Sequence, residues 1–453
     1  MKCQIPNKNI HGKMKTIYIK KLFFLIILLC SVILIISCSD DTNYSSPNLV
    51  LVTSNIETEL NLRVDEEVIL NLNFENAVGQ LSYIWSIDGT IVSKEDNYAF
   101  QPTESGQFSI DVYVEDAEGK YTNEIFKLKV VGLPHVFDSN KVVVGYCPSY
   151  KTDTIEWDKI THLIYTYVYP KEDGTLDTSD MHALASYVTQ AKANNVKILV
   201  SIGGFGFYPG RDTRIFTNVI GDDAKRSKLV QNINTFIRDN QLDGIDINYQ
   251  ELIGGGETVD NTETNKLLPF FRELREALPS ESLITSYVTG SYEWAAYHFR
   301  DITAEMASVL DFISVMSFDN LGSWPESALG PHSSITDAQN ALNRYIEFGA
   351  PKSKLVLGLP LYGRDFLTAS GGVAQVITYA DIVSLYSPTE SEFIEGNVNR
   401  DGHNIFFDSQ EIISQKVNYV KDNEFRGITL WKLGQDTSDP NLSLLKDILN
   451  QFN

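Results

Sequence analysis

Asp243-Gly244-Ile245-Asp246-Ile247-Asn248-Tyr249-Gln250 is the stretch on which the reading of this 453-residue chain turns. Side chains two apart on a β-strand share a face. Asp246, Asn248 and Gln250 therefore point one way, and Ile245, Ile247 and Tyr249 point the other. An inner strand of a parallel barrel divides its residues in this way. Polar groups sit toward the strand's C-terminal end, and apolar ones pack against outer helices.

Outward from that strand, the chain alternates strand and helix from the turn at Gly132-Leu133-Pro134 to its end, the pattern of an α/β barrel. Apolar runs at 142–146, 163–169, 197–202, 244–249, 283–288, 312–317, 355–359 and 427–431 read as its eight strands. Between them, 225–240 places Leu229, Val230, Ile233, Phe236 and Ile237 on one face at helical spacing. Segments 265–278 and 336–348 do likewise. The expected fold class is α/β, a TIM (β/α)8 barrel over 138–453 behind a small N-terminal all-β sandwich domain. That sandwich spans 50–132, with period-2 runs at 68–72, 81–87 and 108–115 and turn residues between them. Tyr83-Ile84-Trp85 with Asp88-Gly89 and Asp116-Ala117-Glu118-Gly119 resembles a PKD-type or Ig-like spacer, in which Trp85 is a core residue.

The first 37 residues carry six lysines, no acidic residue and an apolar run at 22–36. Too short and wrongly flanked for a stable span, this reads as a signal peptide, with Met1 or Met14 as its start. Ile35-Ile36-Ser37-Cys38 resembles a bacterial lipoprotein box with Cys38 as the lipidated residue, and 38–49 reads as a polar tether. Ser39-Asp40-Asp41 resembles the acidic tag of cell-surface lipoproteins in Bacteroidetes, so an outer-membrane, surface-exposed location is expected. Without Cys3, Cys30 and Cys38 only Cys147 remains, which leaves no disulfide framework and no cysteine metal site. The seven histidines show no metal-ligand spacing, so neither metal nor cofactor is expected. The chain carries a formal charge of −22, and loss of the six leader lysines leaves 31 basic against 59 acidic residues. Such a surface argues against nucleic acid and anionic membranes, and suits neutral glycans.

Residues 243–250 resemble the signature strand of glycoside hydrolase family 18, Asp-Gly-x-Asp-x-Asp-x-Glu, which serves chitinases and endo-β-N-acetylglucosaminidases. Other strand ends match in order: Gly145-Tyr146, Ser201-Ile202-Gly203-Gly204, Met316-Ser317-Phe318-Asp319, Gly358-Leu359-Pro360 with Tyr362-Gly363-Arg364, and Trp431. The resemblance implies that Trp431 floors a sugar site, with Tyr146 and Ser201 near the aspartates. It implies a substrate-binding set of Tyr146, Ser201, Asp246, Gln250, Met316, Asp319, Tyr362, Arg364 and Trp431. The segment 366–425 resembles a shortened insertion domain, and its small size implies a shallow, open cleft.

The catalytic positions of the family fall on Asp243, Asp246, Asn248, Gln250, Phe318 and Asp319, and three of these depart from its pattern. Gln250 stands where the family has its acid Glu, Asn248 where it usually has Asp, and Phe318 where it usually has Tyr. Family 18 catalysis is substrate-assisted: the Glu protonates the glycosidic oxygen while the sugar's N-acetyl carbonyl attacks. A carboxamide has no proton to give near neutral pH, and general acid catalysis is worth roughly 10²–10⁴-fold. Loss of one positioned donor, as in Phe318, costs roughly 10²–10³ more. No catalytic set is expected intact, and whether the chain is an enzyme stays open, with the weight toward not. The expected function is surface-anchored binding of GlcNAc-containing glycans (chitin oligomers or the N-glycan core), alongside glycan-uptake partners at the cell surface. The alternative is an active chitinase or endo-β-N-acetylglucosaminidase that uses an unrecognised acid.

Overall fold

Main-chain hydrogen bonds close a ring of eight parallel strands in the computed structural model, which describes residues 49–54, 59–103, 106–131, 141–149, 155–204, 214–249, 264–291 and 293–452. The strands are Val142–Pro148, His162–Pro170, Lys197–Gly204, Gly244–Tyr249, Leu283–Thr289, Phe312–Met316, Leu355–Pro360 and Gly427–Trp431. Each pairs with the next, and the eighth returns to the first with Thr429 opposite Val144. Every strand expected from the sequence is present, most with ends one or two residues longer.

The two faces of strand four part as their alternation requires. Ile245, Ile247 and Tyr249 join the core between barrel and helices, with Leu229, Ile233, Phe270 and Leu274. A separate inner core fills the barrel with Val142, Val144, Ile164, Leu199, Phe312 and Val356. Fully burying each such side chain is worth about 1.5–3 kcal/mol. This inner packing holds the polar layer at the strand ends in place.

The helices begin where the sequence supplies caps. Asp222 accepts the Lys225 N–H at 3.0 Å ahead of the helix Asp223–Asp239. Ser334 and Asp337 form a reciprocal capping box for Ile335–Glu347. Each cap satisfies a donor that the first turn leaves without an intrahelical partner.

After strand seven comes a four-stranded antiparallel sheet, ordered Gln375–Thr378, Tyr362–Asp365, His403–Phe407, Asn397–Arg400. Its bounds differ from the expected 366–425. The sheet opens earlier because Tyr362–Asp365 pairs on both sides. It ends earlier because the following helix, Gln410–Asp422, buries Ile413, Val417 and Val420 in the barrel core.

The N-terminal strands form a three-stranded and a five-stranded sheet. Trp85, fully buried, lies 5.8 Å from Tyr98 and 6.4 Å from Phe126 between ring centroids, and donates its indole N–H to the Glu95 carbonyl at 2.9 Å. It is therefore a core residue. The leader 1–37, Cys38 and the tether up to residue 48 lie outside the described residues. Among the described residues, no helix is long and apolar enough to cross a membrane.

One buried charge ties the helix Gln410–Asp422 to the barrel. Lys416, 0 % exposed, donates to the Ser333 carbonyl at 2.6 Å and to its hydroxyl at 2.8 Å, and pairs with Asp408. Lys416→Met leaves Asp408 buried without its counter-charge and should lower the unfolding free energy by about 3–5 kcal/mol. Adding Asp408→Asn should recover part of that loss in urea titrations. A loss in the double variant equal to the sum of the two single losses would show that the pair carries no coupling.

Candidate functional site

Strand register builds the centre of the site. Ser201 lies opposite Asp246 across strands three and four, and Thr285 lies opposite it across strands four and five. Asp246, 0 % exposed, accepts three hydroxyl hydrogen bonds: from Ser201 at 2.7 Å, Thr285 at 2.7 Å and Tyr146 at 2.9 Å. Burial pushes its carboxyl above the ordinary aspartate value, and the three hydroxyls act against that push. The Tyr146 phenol is held well above its usual value by burial and by Asp246.

Two residues further along, Asn248 donates its amide N–H to the Tyr167 hydroxyl at 3.2 Å. Gly204 makes room for that tyrosine: a Cβ there would stand 2.9 Å from the Tyr167 ring, and its φ of +100° suits glycine. The Asn248 Oδ1 atom is buried with no partner among the described residues. Tyr287, beside Asn248 on strand five, is 1 % exposed, and its hydroxyl likewise has no such partner. Its ring stacks on Trp431 at 5.9 Å and 22°, while Tyr146 lies 5.3 Å from Tyr287 and 5.4 Å from Trp431.

A second cluster surrounds Asp319, which adopts φ 66° just beyond strand six. Its Oδ1 accepts from the Tyr362 hydroxyl at 2.7 Å and from Arg364 Nε at 2.9 Å, with Arg364 Nη2 at 2.7 Å. Burial works against its charge, but His332, Arg364 and Tyr362 outweigh that and hold its carboxyl at about 2. It is therefore an ionised anchor at neutral pH. Phe318, 2 % exposed, offers only its ring, packed edge-on to Tyr362 at 6.1 Å.

The structure thus brings together Tyr146, Ser201, Asp246 and Asn248 at one centre, and Asp319, Tyr362 and Arg364 at another. Met316, Phe318 and Trp431 share their inner cluster. Asp243 does not join them. It sits at the opposite end of strand four, where its carboxylate accepts from the Ile198 N–H at 2.9 Å and from Lys197 at 2.8 Å. Its role there is to tie the start of strand three. Gln250 lies outside the described residues. Thr285, Tyr287, Tyr167 and His332 are additions to the expected set. The first two follow from the same period-2 rule applied to 283–289. No local sequence signal marks Tyr167 or His332, which reach the site from a strand end and a loop. Among the described residues no group of three or more His, Cys, Asp or Glu side chains could hold a metal ion.

Residues 142–436 match the family model described as Glycosyl hydrolases family 18. Among solved structures, a chitinase from Bacteroides thetaiotaomicron is 27 % identical with a TM-score of 0.57, over 69 % of this chain and 96 % of that one. The chitinase ChiB from the chitin utilization locus of Flavobacterium johnsoniae shares the fold at 24 % identity and a TM-score of 0.56, over 69 % and 94 %. A curated relative described as a "chitinase-like effector" of Moniliophthora roreri is 28 % identical over 50 % of this chain and 59 % of its own. A second, from Moniliophthora perniciosa, is 26 % identical over 48 % and 53 %, so the chain spans little more than half the length of these two relatives. The matched region covers all eight barrel strands and most of the chain, and the protein belongs to glycosyl hydrolases family 18.

Proposed function

We propose that this protein binds GlcNAc-containing glycans at the C-terminal ends of its barrel strands without cleaving them. The observation that carries this reading is the loss of the proton donor at position 250, where the chain has Gln. A carboxamide there can hydrogen-bond a sugar but cannot protonate a leaving group. Neither described carboxylate at the site is suited to replace it. Asp319 is held ionised by Arg364 and its neighbours. Asp246 is sealed from solvent, with both its oxygens occupied by hydroxyl donors. Phe318 further lacks the hydroxyl that would hold an acetamido oxygen. Trp431, partly exposed at the strand end and backed by Tyr146 and Tyr287, supplies an apolar surface on which a sugar can stack. One relative is described as a "chitinase-like effector" and another as "Endochitinase 1", and both descriptions are compatible with a chitin-type ligand.

We further propose that the signal peptide directs the chain to export and that a lipid on Cys38 anchors the protein to the outer membrane at the cell surface. The acidic composition supports a site that meets uncharged glycans.

Trp431→Ala should weaken binding of chitin oligomers by about 1–3 kcal/mol, the scale of burying one large apolar side chain. Isothermal titration would measure it, and an unchanged affinity would move the site elsewhere.

Wild-type protein, freed of host chitinase, should show no turnover of chitin oligomers or N-glycans above background. Gln250→Glu alone should give weak activity at most, since the new carboxyl has Asn248 rather than Asp beside it. The triple change Asn248→Asp, Gln250→Glu and Phe318→Tyr should exceed the product of the single gains, because a catalytic unit is non-additive. Turnover that survives Gln250→Ala would reveal another acid and defeat the binding reading.

Asp319 also gives the site an acid limit. Its folded value of about 2 lies below the ordinary aspartate value, so its contribution to stability is complete above that ordinary value. It is lost as pH falls through the folded value. In Asp319→Asn the steep loss of stability from about pH 4 to pH 2 should flatten in urea titrations.

A further inference from the structure

Three of the residues at the family's catalytic positions are buried, with the rings of Tyr146, Tyr167 and Tyr362 against them. Asp246 and Asn248 are 0 % exposed and Phe318 is 2 % exposed. One side chain stands out as the filler. Tyr287 projects inward from strand five in the same layer as Asn248, opposite it in the register. Its ring lies nearly parallel to Trp431, 22° apart at 5.9 Å, and 5.3 Å from Tyr146. It belongs to the same continuous inner core as Met316, Phe318 and Tyr362. A pocket open at that depth would leave its lining partly wetted, yet Tyr287 is only 1 % exposed.

The polar atoms agree. The Tyr287 hydroxyl and the Asn248 Oδ1 are both buried without partners among the described residues. The N–H of an acetamido group is a donor that would satisfy the Asn248 Oδ1. Trp431, by contrast, is only partly buried, so part of its surface stays available at the rim.

We propose that Tyr287 sets the depth of the glycan site: its ring takes the place beside Trp431 and Asn248 that a sugar's acetamido group would fill, and so keeps the ligand at the rim. This rests on the glycan-binding reading given above. It makes Tyr287 a specificity-determining residue, one that lowers discrimination between acetylated and unacetylated sugars. A rim-bound oligomer is recognised through ring stacking, which N-acetylated and plain glucose units share. A buried acetamido group would be recognised through its N–H by the Asn248 Oδ1 that lies opposite Tyr287.

The test is the ratio of affinities for chitotetraose and cellotetraose, which differ in the acetamido group, measured by titration calorimetry on the full chain. Tyr287→Ala should raise the chitotetraose-to-cellotetraose ratio by roughly 10-fold or more, the scale on which a shaped pocket discriminates small groups. Tyr287→Phe keeps the ring and should leave the ratio as in wild type. Tyr287→Leu, which retains volume in the layer but is shorter than the phenol, should shift the ratio in the same direction as Ala and guards against misfolding. Thermal melts confirm that each variant is folded. A wild type that binds, with a ratio unmoved or lowered in folded Tyr287→Ala or Tyr287→Leu, overturns the inference alone. A lowered ratio in Tyr287→Phe also overturns it, because the hydroxyl would then be reading the ligand. If wild type and all variants fail to bind either oligomer, the glycan-binding reading falls and this inference falls with it.

Discussion

A carboxylate can sit at the centre of a barrel only if donors meet it there, because burial without them would cost several kcal/mol. Here the strand register supplies them. Ser201 and Thr285 face Asp246 from the two neighbouring strands, and Tyr146 reaches it from strand one. A slip of one residue in either pairing would turn the hydroxyls outward, since the side-chain period of a strand is two. The polar centre and the closed hydrogen-bonded ring are thus one device. The apolar layer of Val142, Leu199, Phe312 and Val356 below it fixes the register, and the register satisfies the charge.

This arrangement separates what holds the site together from what would do chemistry in it. The hydrogen bonds around Asp246 and the Arg364–Asp319 pair are structural necessities once those charges are buried, so they persist whether or not a reaction occurs. Proton donation has no such structural role. Position 250 can therefore change from acid to amide, and position 318 can lose a hydroxyl, while the rest of the barrel stays assembled. Phe318 shows how: its ring remains packed against Tyr362 and only the polar atom is gone.

The aromatic residues complete the picture. Tyr146, Tyr287 and Trp431 fill the mouth of the barrel in mutual contact. Three large rings in that position make the inner core continuous from the apolar layer to the strand ends. Such packing leaves the rings little freedom to move independently. The antiparallel sheet from Tyr362 to Phe407 contributes two of the residues that anchor Asp319, so this insertion is joined to the site through side chains as well as through the backbone.

Much of this was legible in the chain itself. The alternation in 244–249 fixed which residues face inward, and the spacing of apolar runs gave eight strands in their correct places. Glycines and aromatic residues at the strand ends, quoted in order, gave the family. The chemistry of residue 250 is likewise a matter of covalent structure, which no fold can alter. The tertiary structure alone decided the partners. Asp243 and Asp246 are three residues apart, yet one ties the start of a neighbouring strand and the other lies at the centre of the polar layer, because a strand carries them to different heights in the barrel. Tyr167 joins the site from an expected strand whose register shifts between Thr166 and Val168, His332 joins from a loop without a local signal, and the insertion ends where the next helix finds the core. Period and composition are properties of neighbours in sequence. Which hydroxyl meets which carboxylate, and which ring fills the mouth, depend on packing between segments a hundred residues or more apart, such as Tyr146 with Asp246 and with Trp431.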